Sequence, residues 1–299
     1  MFFLFSQIYY QLIKIINLDS KFIMDREYKI ISGIKCYSPD LAIENGDYPS
    51  DAFKLLFEIE EKNFWFVNRN KIIINLFKKH VGEEVNKVLE IGSGTGYVLK
   101  GLNDTFKNYN LYGSEIHLEG IKYAESRLRN IEFIQVDATN MPFENEFNAI
   151  GAFDVLEHIE QDLKVIQQVH KALKSGGLFI ISVPQYQWMW SVNDDIAYHK
   201  RRYSRKELKN KLLSEGFEID YVSSFVFILF PVMYISRLFK QKKVHEITEE
   251  IIFKEMNELK LNPMLNSIFG ALMKIDVFLI KNGISLPFGG SLIIVAKKK

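Results

Sequence analysis

The sequence contains one cysteine, a net charge close to zero and no internal repeat. Cys36 is the single cysteine among 299 residues, which excludes an intramolecular disulfide and a cysteine-rich zinc site, and we predict no metal site. Lysine and arginine total 38 against 37 acidic residues, which gives a net charge of +1. Nucleic-acid-binding proteins usually carry a strongly basic face or balance, so we predict no nucleic-acid partner. No internal repeat or low-complexity linker divides the chain, so one enlarged domain, or one domain with an insertion, fits its length.

The N-terminal segment does not have the pattern of a cleaved signal peptide. Residues 1–16 are apolar and aromatic, but they have no basic leading segment and no small-residue cleavage site. They suit an interfacial helix or a packing arm. A lone cysteine fits a reducing compartment, so we expect a cytoplasmic protein.

Glycine is concentrated in one informative place. The apolar run 88–91 contains Glu90 and is followed by Gly92, Gly94 and Gly96, after which apolar residues recur at helical spacing. This order predicts a buried parallel strand, a tight turn and a helix start. Glycines at such a turn allow positive φ angles and let a ligand approach the backbone closely. At the end of the first strand of a doubly wound sheet, the arrangement indicates a nucleotide-type cofactor site.

The glycine spacing distinguishes between cofactors. A dinucleotide fingerprint G-x-G-x-x-G that begins at Gly92 needs its third glycine at position 97, where the chain has Tyr97. An NAD-dependent enzyme is therefore disfavoured. The pattern E-x-G-x-G-x-G, from Glu90 to Gly96, resembles the first motif of the class I S-adenosylmethionine-dependent methyltransferases. The resemblance implies S-adenosyl-L-methionine as the cofactor.

Acidic residues follow the next two predicted strands. The short apolar segment 111–116 contains Glu115, and an acid at the tip of the second strand can accept hydrogen bonds from both ribose hydroxyls. The alternative for Glu115 is a helix-capping role. Residues 131–138 alternate apolar and polar side chains up to Asp137 and Ala138, which predicts a third strand. The methyltransferase resemblance implies that Asp137 binds the adenine amine, with Ala138 nearby; the alternative is a solvated loop acid.

Further strands follow in the order expected of the same family. A fourth predicted strand ends at Phe153 and leads into the run 154–158, Asp-Val-Leu-Glu-His, which closely matches a subgroup that includes quinone-biosynthesis O-methyltransferase-like proteins. The segments 178–184, 217–222 and 291–296 predict three more strands. We therefore predict an α/β fold: a Rossmann-like, seven-stranded, mostly parallel sheet with helices on both faces and a helical insertion before the last strand.

The predicted organisation has four parts. They are an N-terminal arm (1–50), the class I methyltransferase core (51–225), a helical insertion that faces membrane or substrate (226–285) and the last strand of the core (286–299). The resemblance and the strand ends together assign cofactor binding to ten residues. These are Glu90, Gly92, Ser93, Gly94, Gly96, Glu115, Ile116, Asp137, Ala138 and Phe153.

The insertion begins with an uncharged, partly aromatic run. Residues 221–236 contain no charged residue and are followed by Arg237 and several lysines. A spanning helix needs about 20 apolar residues, so this shorter run suits a helix that lies in a membrane face, or one that packs on the sheet or in an oligomer interface. Pro263 then separates a charged helix over 246–260 from an apolar helix over 264–280. The stripe that we expect to pack in the core consists of Ile268, Leu272, Ile275 and Leu279.

Candidate acceptor residues follow the fourth and fifth strands. His158 is the candidate general base, because imidazole titrates near neutral pH and the residue lies at the ligand-binding edge of the sheet; a structural hydrogen-bonding role is the alternative. His199 and Arg202 precede a helix with a Ser-x-x-Glu capping box, and they suit either an anionic acceptor or a solvated surface. Trp65, in an aromatic helix before the first strand, is predicted to contact the substrate or to pack on the sheet.

We therefore predict an S-adenosylmethionine-dependent methyltransferase whose acceptor is a small molecule, a glycan or a lipid-linked compound. A quinone-type O-methyltransferase is the alternative within this chemistry, favoured by the run 154–158 and by an insertion suited to peripheral membrane contact. A non-catalytic cofactor-binding or membrane-docking scaffold is the alternative from another class. The sequence does not fix the oligomeric state.

Overall fold

The structure of the protein is a computed structural model that describes residues 27–44, 50–83, 87–239 and 260–299. The apolar segment predicted at 1–16 and nearly all of the charged helix predicted over 246–260 lie outside these residues.

The strands within these ranges build one sheet. They are β1 (Lys29–Ile31), β2 (Ile34–Cys36), β3 (Lys87–Ile91), β4 (Asn110–Glu115), β5 (Glu132–Gln135), β6 (Phe147–Phe153), β7 (Leu173–Pro184), β8 (Phe217–Phe225) and β9 (Ser291–Lys298). Their spatial order is β1-β2-β5-β4-β3-β6-β7-β9-β8. Neighbours from β2 through to β7 pair in parallel, whereas β1 and β9 pair antiparallel with their neighbours. The predicted mostly parallel sheet is confirmed, and β3 lies at its centre.

The predicted count of seven strands is wrong, because the described residues contain two more. β1 and β2 form a hairpin whose turn residues, Ser32 and Gly33, have φ angles of 53° and 84°, and β2 joins the sheet beside β5. Each of these strands has only 3 residues, which is too short to show a periodic pattern. The Ser-Gly dipeptide between two apolar segments is the signal that marks such a hairpin. This part of the predicted arm therefore pairs with the core.

The parallel pairing places the predicted functional segments at one edge of the sheet. In β3, Leu89 pairs with Tyr112 of β4 on one side and with Ile150 of β6 on the other. Because β3, β4, β5 and β6 run in the same direction, their carboxyl ends lie side by side. The loops that follow these four strands can therefore build a common site.

Helices cover both faces of the sheet. They are α1 (Pro39–Glu44), α2 (Ser50–Ile59), α3 (Phe64–Leu76), α4 (Tyr97–Thr105), α5 (Leu118–Arg127), α6 (Asp162–Ala172), α7 (Val192–Ile196), α8 (Arg205–Ser214), α9 (Phe230–Phe239) and α10 (Pro263–Lys281). Side chains of α6 and α8, such as Val165 and Leu212, pack in the core on one face. Side chains of α3, α4, α5 and α10, such as Ile73 and Met273, pack on the other. The predicted layering is confirmed.

Local capping determines where two of these helices begin. The Asn63 side chain accepts a hydrogen bond from the N–H of Trp65 at 2.9 Å, so α3 begins after a break that separates it from α2. Ser204 and Glu207 form the predicted capping box of α8, in which the Glu207 N–H donates to Ser204 Oγ at 3.1 Å. The sequence therefore specifies both helix starts locally.

The apolar helix α10 packs with a face that coincides only in part with the predicted stripe. Met273 is fully buried, and Leu272 and Leu279 of that stripe pack against the core. Ile268 and Ile275 are 46% and 42% exposed, so the expected core packing is wrong for these two residues. Asp276 is also fully buried, and its carboxylate accepts a hydrogen bond from the N–H of Phe227 at 2.6 Å. This polar contact ties α10 to the chain after β8. The spacing of apolar residues could not predict which face of α10 is buried, because a hydrogen-bonded acid, Asp276, lies on that face.

Candidate active site

Two cavities adjoin at the carboxyl ends of the parallel strands. The loop cavity, of about 610 Å³, lies beside the loops that follow β3, β4, β5 and β6. The insertion cavity, of about 550 Å³, lies between α3, the segment after β7 and the helices α9 and α10. Leu56 and Asp154 line both cavities. The two spaces therefore share a wall.

The loop after β3 keeps its shape through positive φ angles. Gly92, Gly94 and Gly96 have φ angles of 64°, 51° and 77°. A Cβ atom added at Gly92 would lie 2.5 Å from Cγ2 of Val155, whereas one added at Gly94 would meet nothing within 4 Å. The backbone at Gly94 is thus open to the loop cavity, and the predicted strand, glycine turn and helix are confirmed.

Glu115, at the end of β4, holds the glycine loop in place. Its carboxylate accepts hydrogen bonds from the N–H groups of Gly94 at 2.9 Å, Ile116 at 2.8 Å and His117 at 3.1 Å. A carboxylate offers about four acceptor positions, and Glu115 also lines the loop cavity. One acceptor position therefore remains for a ligand, and the ribose role of Glu115 stays a prediction.

The structure brings six of the ten predicted cofactor residues onto the loop cavity. They are Gly92, Gly94, Glu115, Ile116, Asp137 and Ala138. The Asp137 carboxylate is fixed by the N–H and the hydroxyl of Thr139, each at 2.8 Å. The other four are buried beside the cavity without lining it: Glu90, Ser93, Gly96 and Phe153. The binding roles of all ten stay predictions.

Two buried polar atoms beside the glycine loop lack a partner. Burial raises the pKa of the Glu90 carboxyl well above its usual range, and the positive charge of Arg69 opposes this shift only in part. Glu90 Oε2 and the Ser93 hydroxyl have no hydrogen-bond partner among the residues that the structure describes. Buried polar atoms are normally satisfied, so this region is suited to a polar ligand.

A buried ion pair supports the glycine loop through Thr95. This pair was not predicted from the sequence. Glu60, just after α2, pairs with Arg127 of α5 at 2.9 Å. The guanidinium of Arg127 donates to the carbonyl of Thr95 at 2.9 Å, and the Thr95 hydroxyl donates to Glu60. The two charged partners lie 67 positions apart in sequence, so no local pattern could reveal the pair.

Asp154, on the wall between the cavities, has a strained backbone. Its φ angle is 58°, a region that costs a non-glycine residue about 1–3 kcal/mol. Its carboxylate pairs with Arg69 of α3, whose guanidinium carbon lies 4.6 Å from the centroid of the Trp65 ring. Trp65 lines the insertion cavity, so its predicted substrate contact stays open. The Arg69 guanidinium thus stabilises the strained backbone at the end of β6 and also contacts the Trp65 ring that lines the insertion cavity.

The Asp194 carboxylate contacts three basic side chains at the insertion cavity. It accepts a hydrogen bond from Arg202 Nε at 2.7 Å, and it contacts His199 Nδ1 at 2.9 Å and Arg237 at 3.0 Å. Arg202 is only 5% exposed, so the alternative of solvated surface charge is wrong for this residue. His199 and Arg202 line the cavity, and their contact with an anionic acceptor stays a prediction.

Glu157 and His158 occupy the short helical turn after β6. Burial, with a smaller contribution from His199, lowers the pKa of His158 to about 3. The imidazole is therefore neutral at pH 7 and less basic than an ordinary histidine, and its general-base role stays a prediction. Burial also raises the pKa of Glu157 well above its usual range, and the nearby Asp154 adds to this shift.

Comparison with known proteins identifies the family. Residues 62–222, over half of the chain, match the family described as a methyltransferase domain. The chain belongs to the class I S-adenosylmethionine-dependent methyltransferases. The resemblance of its glycine motif is thereby confirmed, and methyl transfer is favoured over nicotinamide chemistry.

Proteins similar to this methyltransferase include two sequence relatives and a solved structure. A Mycolicibacterium smegmatis protein named "Probable S-adenosylmethionine-dependent methyltransferase" is 22% identical over 186 residues, which cover 61% of this chain and 70% of the relative. The demethylmenaquinone methyltransferase of Thermotoga maritima is 32% identical over 101 residues, which cover 33% of this chain and 44% of the relative. The structure of Haemonchus contortus phosphoethanolamine N-methyltransferase 2 in complex with S-adenosyl-L-methionine superposes with a TM-score of 0.55 at 16% identity, over 86% of this chain and 59% of that chain. This last likeness concerns the fold.

S-adenosylmethionine is the cofactor of this methyltransferase. When bound, it supplies a methyl group activated by a positively charged sulfur. The open backbone at Gly94 and the carboxylate of Glu115, which both line the loop cavity, fit its polar and charged groups. The remaining tasks of the protein are to orient an acceptor towards the shared wall and to exclude water from it.

Proposed function

We propose that this methyltransferase acts on an apolar, lipid-linked acceptor at a membrane surface. The observation that carries the proposal is the insertion cavity, which is apolar and meets the loop cavity at Asp154. Its apolar lining includes Leu55, Phe64, Trp65, Val226, Leu229, Met233 and Phe269. Because such a lining binds apolar groups best, it favours an acceptor with an apolar body.

The helices that wall the insertion cavity also expose apolar side chains. The α10 stripe consists of Met264, Ile268, Ile275 and Phe278, which are 68%, 46%, 42% and 63% exposed and recur on one side of the helix. Further large apolar side chains are exposed on α9 and before β9: Val232, Tyr234, Ile235 and Phe288. Several large exposed apolar side chains on one side of a helix are characteristic of an interaction surface.

A lipid surface fits the α10 stripe better than a spanning arrangement does. By length and composition α10 could cross a membrane, but its opposite face is buried in the protein through Met273 and Asp276. A helix with one face anchored in protein and one apolar face outward suits the plane of a membrane interface. Lys274 and Lys281 of α10 are exposed and favour anionic headgroups. We therefore propose a cytoplasmic protein that is peripheral at the membrane.

The acceptor class can be tested with methyl-labelled S-adenosylmethionine. The labelled cofactor is incubated with the protein and a cellular lipid extract, and heat-denatured protein serves as the control. We expect label to enter the organic phase after extraction. Transfer only to water-soluble small molecules or glycans would contradict a lipid-linked acceptor.

The membrane surface can be tested by placing charge on the α10 stripe. The double variant Ile268→Glu with Phe278→Glu should lose co-sedimentation with vesicles of phosphatidylcholine and phosphatidylglycerol, because two carboxylates oppose insertion into an anionic apolar interface. Its affinity for S-adenosylmethionine should stay unchanged, since neither residue lines the loop cavity. Leu213→Glu is the matched control, because Leu213 is 50% exposed on α8, which packs on the other face of the sheet. Wild-type sedimentation of the double variant would contradict the proposal.

A quinone-type methyltransferase is the second candidate. It is supported by the relationship to a demethylmenaquinone methyltransferase, and a hydroxylated quinone with an apolar tail would suit the insertion cavity. Mass spectrometry of a reaction with such a quinone should detect one added methyl group. Label in the lipid extract without any methylated quinone would eliminate this candidate and keep the first.

A further inference from the structure

Three side chains that commonly ligate metals converge where the two cavities meet. Glu157 and His199 line the insertion cavity, and His158 lines the loop cavity. One carboxylate oxygen and two imidazole nitrogens from these residues lie within 4.8 Å of one another. We propose that Glu157, His158 and His199 bind a divalent metal ion at this boundary. The proposal reverses the expectation from the sequence, which rested on the scarcity of cysteine.

Glu157 is the member of the cluster that most needs a partner. It is fully buried, and neither carboxylate oxygen has a hydrogen-bond partner in the part of the chain that the structure describes. Buried carboxyl groups are normally hydrogen-bonded, paired with a charge or bound to a metal. A metal ion would satisfy this carboxylate without any new protein contact.

The spacing of the cluster suits a small cation. Glu157 Oε1 lies 4.0 Å from His199 Nε2, which is too long for a hydrogen bond. Zinc binds carboxylate oxygen and imidazole nitrogen at about 2.0–2.2 Å, and tetrahedral geometry then places two ligand atoms about 3.4 Å apart. The Glu157–His199 pair therefore needs to close by about 0.6 Å. The other separations in the cluster are at most 4.8 Å, so they need to close by no more than about 1.4 Å.

A hydrogen bond on the far side of the His199 imidazole orients this member of the cluster. The Nδ1 atom of His199 lies 2.9 Å from Asp194 Oδ1, which favours a proton on Nδ1 and leaves the lone pair of Nε2 directed at Glu157. Metal-ligating histidines almost always donate their second nitrogen to a carboxylate or a backbone carbonyl in this way. The surroundings of the His199 ring therefore match those of a metal ligand.

The ligand set predicts which ions bind. Two imidazoles and one carboxylate suit Zn²⁺ and other first-row divalent ions better than Ca²⁺. Three protein ligands leave a coordination position for an oxygen of the acceptor, as in catalytic zinc sites. This role towards the acceptor rests on the proposed function, whereas binding of the ion does not.

Metal titration of the full chain tests the proposal. Protein treated with a chelator and then freed of it is titrated with Co²⁺, followed by its visible absorption, and with Zn²⁺ in competition. We expect one equivalent to bind, and Glu157→Gln and His199→Gln each to weaken binding by at least about tenfold. His170→Gln is the matched control, because His170 lies on α6 against Phe217 and outside the cluster. Calorimetry with S-adenosylmethionine shows whether each variant is folded, since neither Glu157 nor His199 lines the loop cavity.

The outcomes separate the metal site from the proposed function. The absence of saturable binding to the wild-type chain would overturn the site, whatever the variants do. Equal metal affinity in the wild type and in both cluster variants would also overturn it, because the ion would then be bound elsewhere. Binding of one ion without methylation of any lipid would refute the proposed acceptor and keep the site.

Discussion

Replacing Glu115 by glutamine should weaken the binding of S-adenosylmethionine about 10- to 150-fold. The amide preserves the shape of the side chain but exchanges one acceptor oxygen for an NH₂ group and removes the negative charge. Three backbone N–H groups currently donate to this carboxylate, at 2.8–3.1 Å. A hydrogen bond to a charged group contributes about 1.5–3 kcal/mol. The loss of one such bond to the ligand converts to the stated range of dissociation constants.

Isothermal titration calorimetry with S-adenosylmethionine and S-adenosylhomocysteine measures this effect. Both ligands should lose affinity to a similar extent, because they share the sugar that Glu115 is predicted to bind. Glu119→Gln is the control, since Glu119 lies in the first turn of α5 nearby and pairs with the exposed Lys122 at 3.0 Å. Thermal unfolding of each variant corrects for the folded fraction. An affinity of Glu115→Gln within about twofold of the wild type would refute the reasoning.

Two further predictions concern the residues around the glycine loop. Gly92→Ala should destabilise the fold more than Gly94→Ala. Both substitutions strain a positive φ angle, at a cost of about 1–2 kcal/mol, but only the Cβ at position 92 would also lie 2.5 Å from the side chain of Val155. Urea unfolding compares the two variants, and the reverse order of stability would contradict the described loop. Glu90→Gln should raise the free energy of unfolding at neutral pH, because burial raises the pKa of the native carboxyl and makes its ionisation unfavourable in the fold. The gain should disappear as the pH falls below the ordinary glutamate pKa of 4.5, where both states of the wild type are protonated; urea titrations over this range check the sign, and a gain that persists in acid would contradict it.

The sequence predicts the central sheet well, because parallel strands that are buried on both faces consist of nearly continuous apolar residues. The segments at 88–91 and 147–153 are such runs, and each is followed by turn or acidic residues that mark the ligand edge. Much of the loop cavity is predictable for the same reason, since most of its lining residues follow strand ends in order. Six predicted cofactor residues accordingly line one cavity.

The supporting contacts of the site could not be predicted, because they join residues that are far apart in sequence. Arg69 reaches Asp154 across 85 positions, and no local pattern indicates that α3 packs over the tip of β6. The buried face of α10 depends in the same way on Asp276, which contacts the chain 49 positions earlier. Periodicity identifies a helix and its apolar side chains, but a buried ionic or capping contact decides their orientation.

The shared wall of Leu56 and Asp154 divides the molecule into two separately variable halves. The donor half is built from strand ends that the sheet holds rigidly, so substitutions there disturb folding and cofactor together. The proposed acceptor half is completed by α9 and α10. In the sequence, these helices lie between β8 and β9, the two antiparallel strands at one margin of the sheet. A change in α9 or α10 can therefore reshape the insertion cavity without altering the strand ends that line the loop cavity.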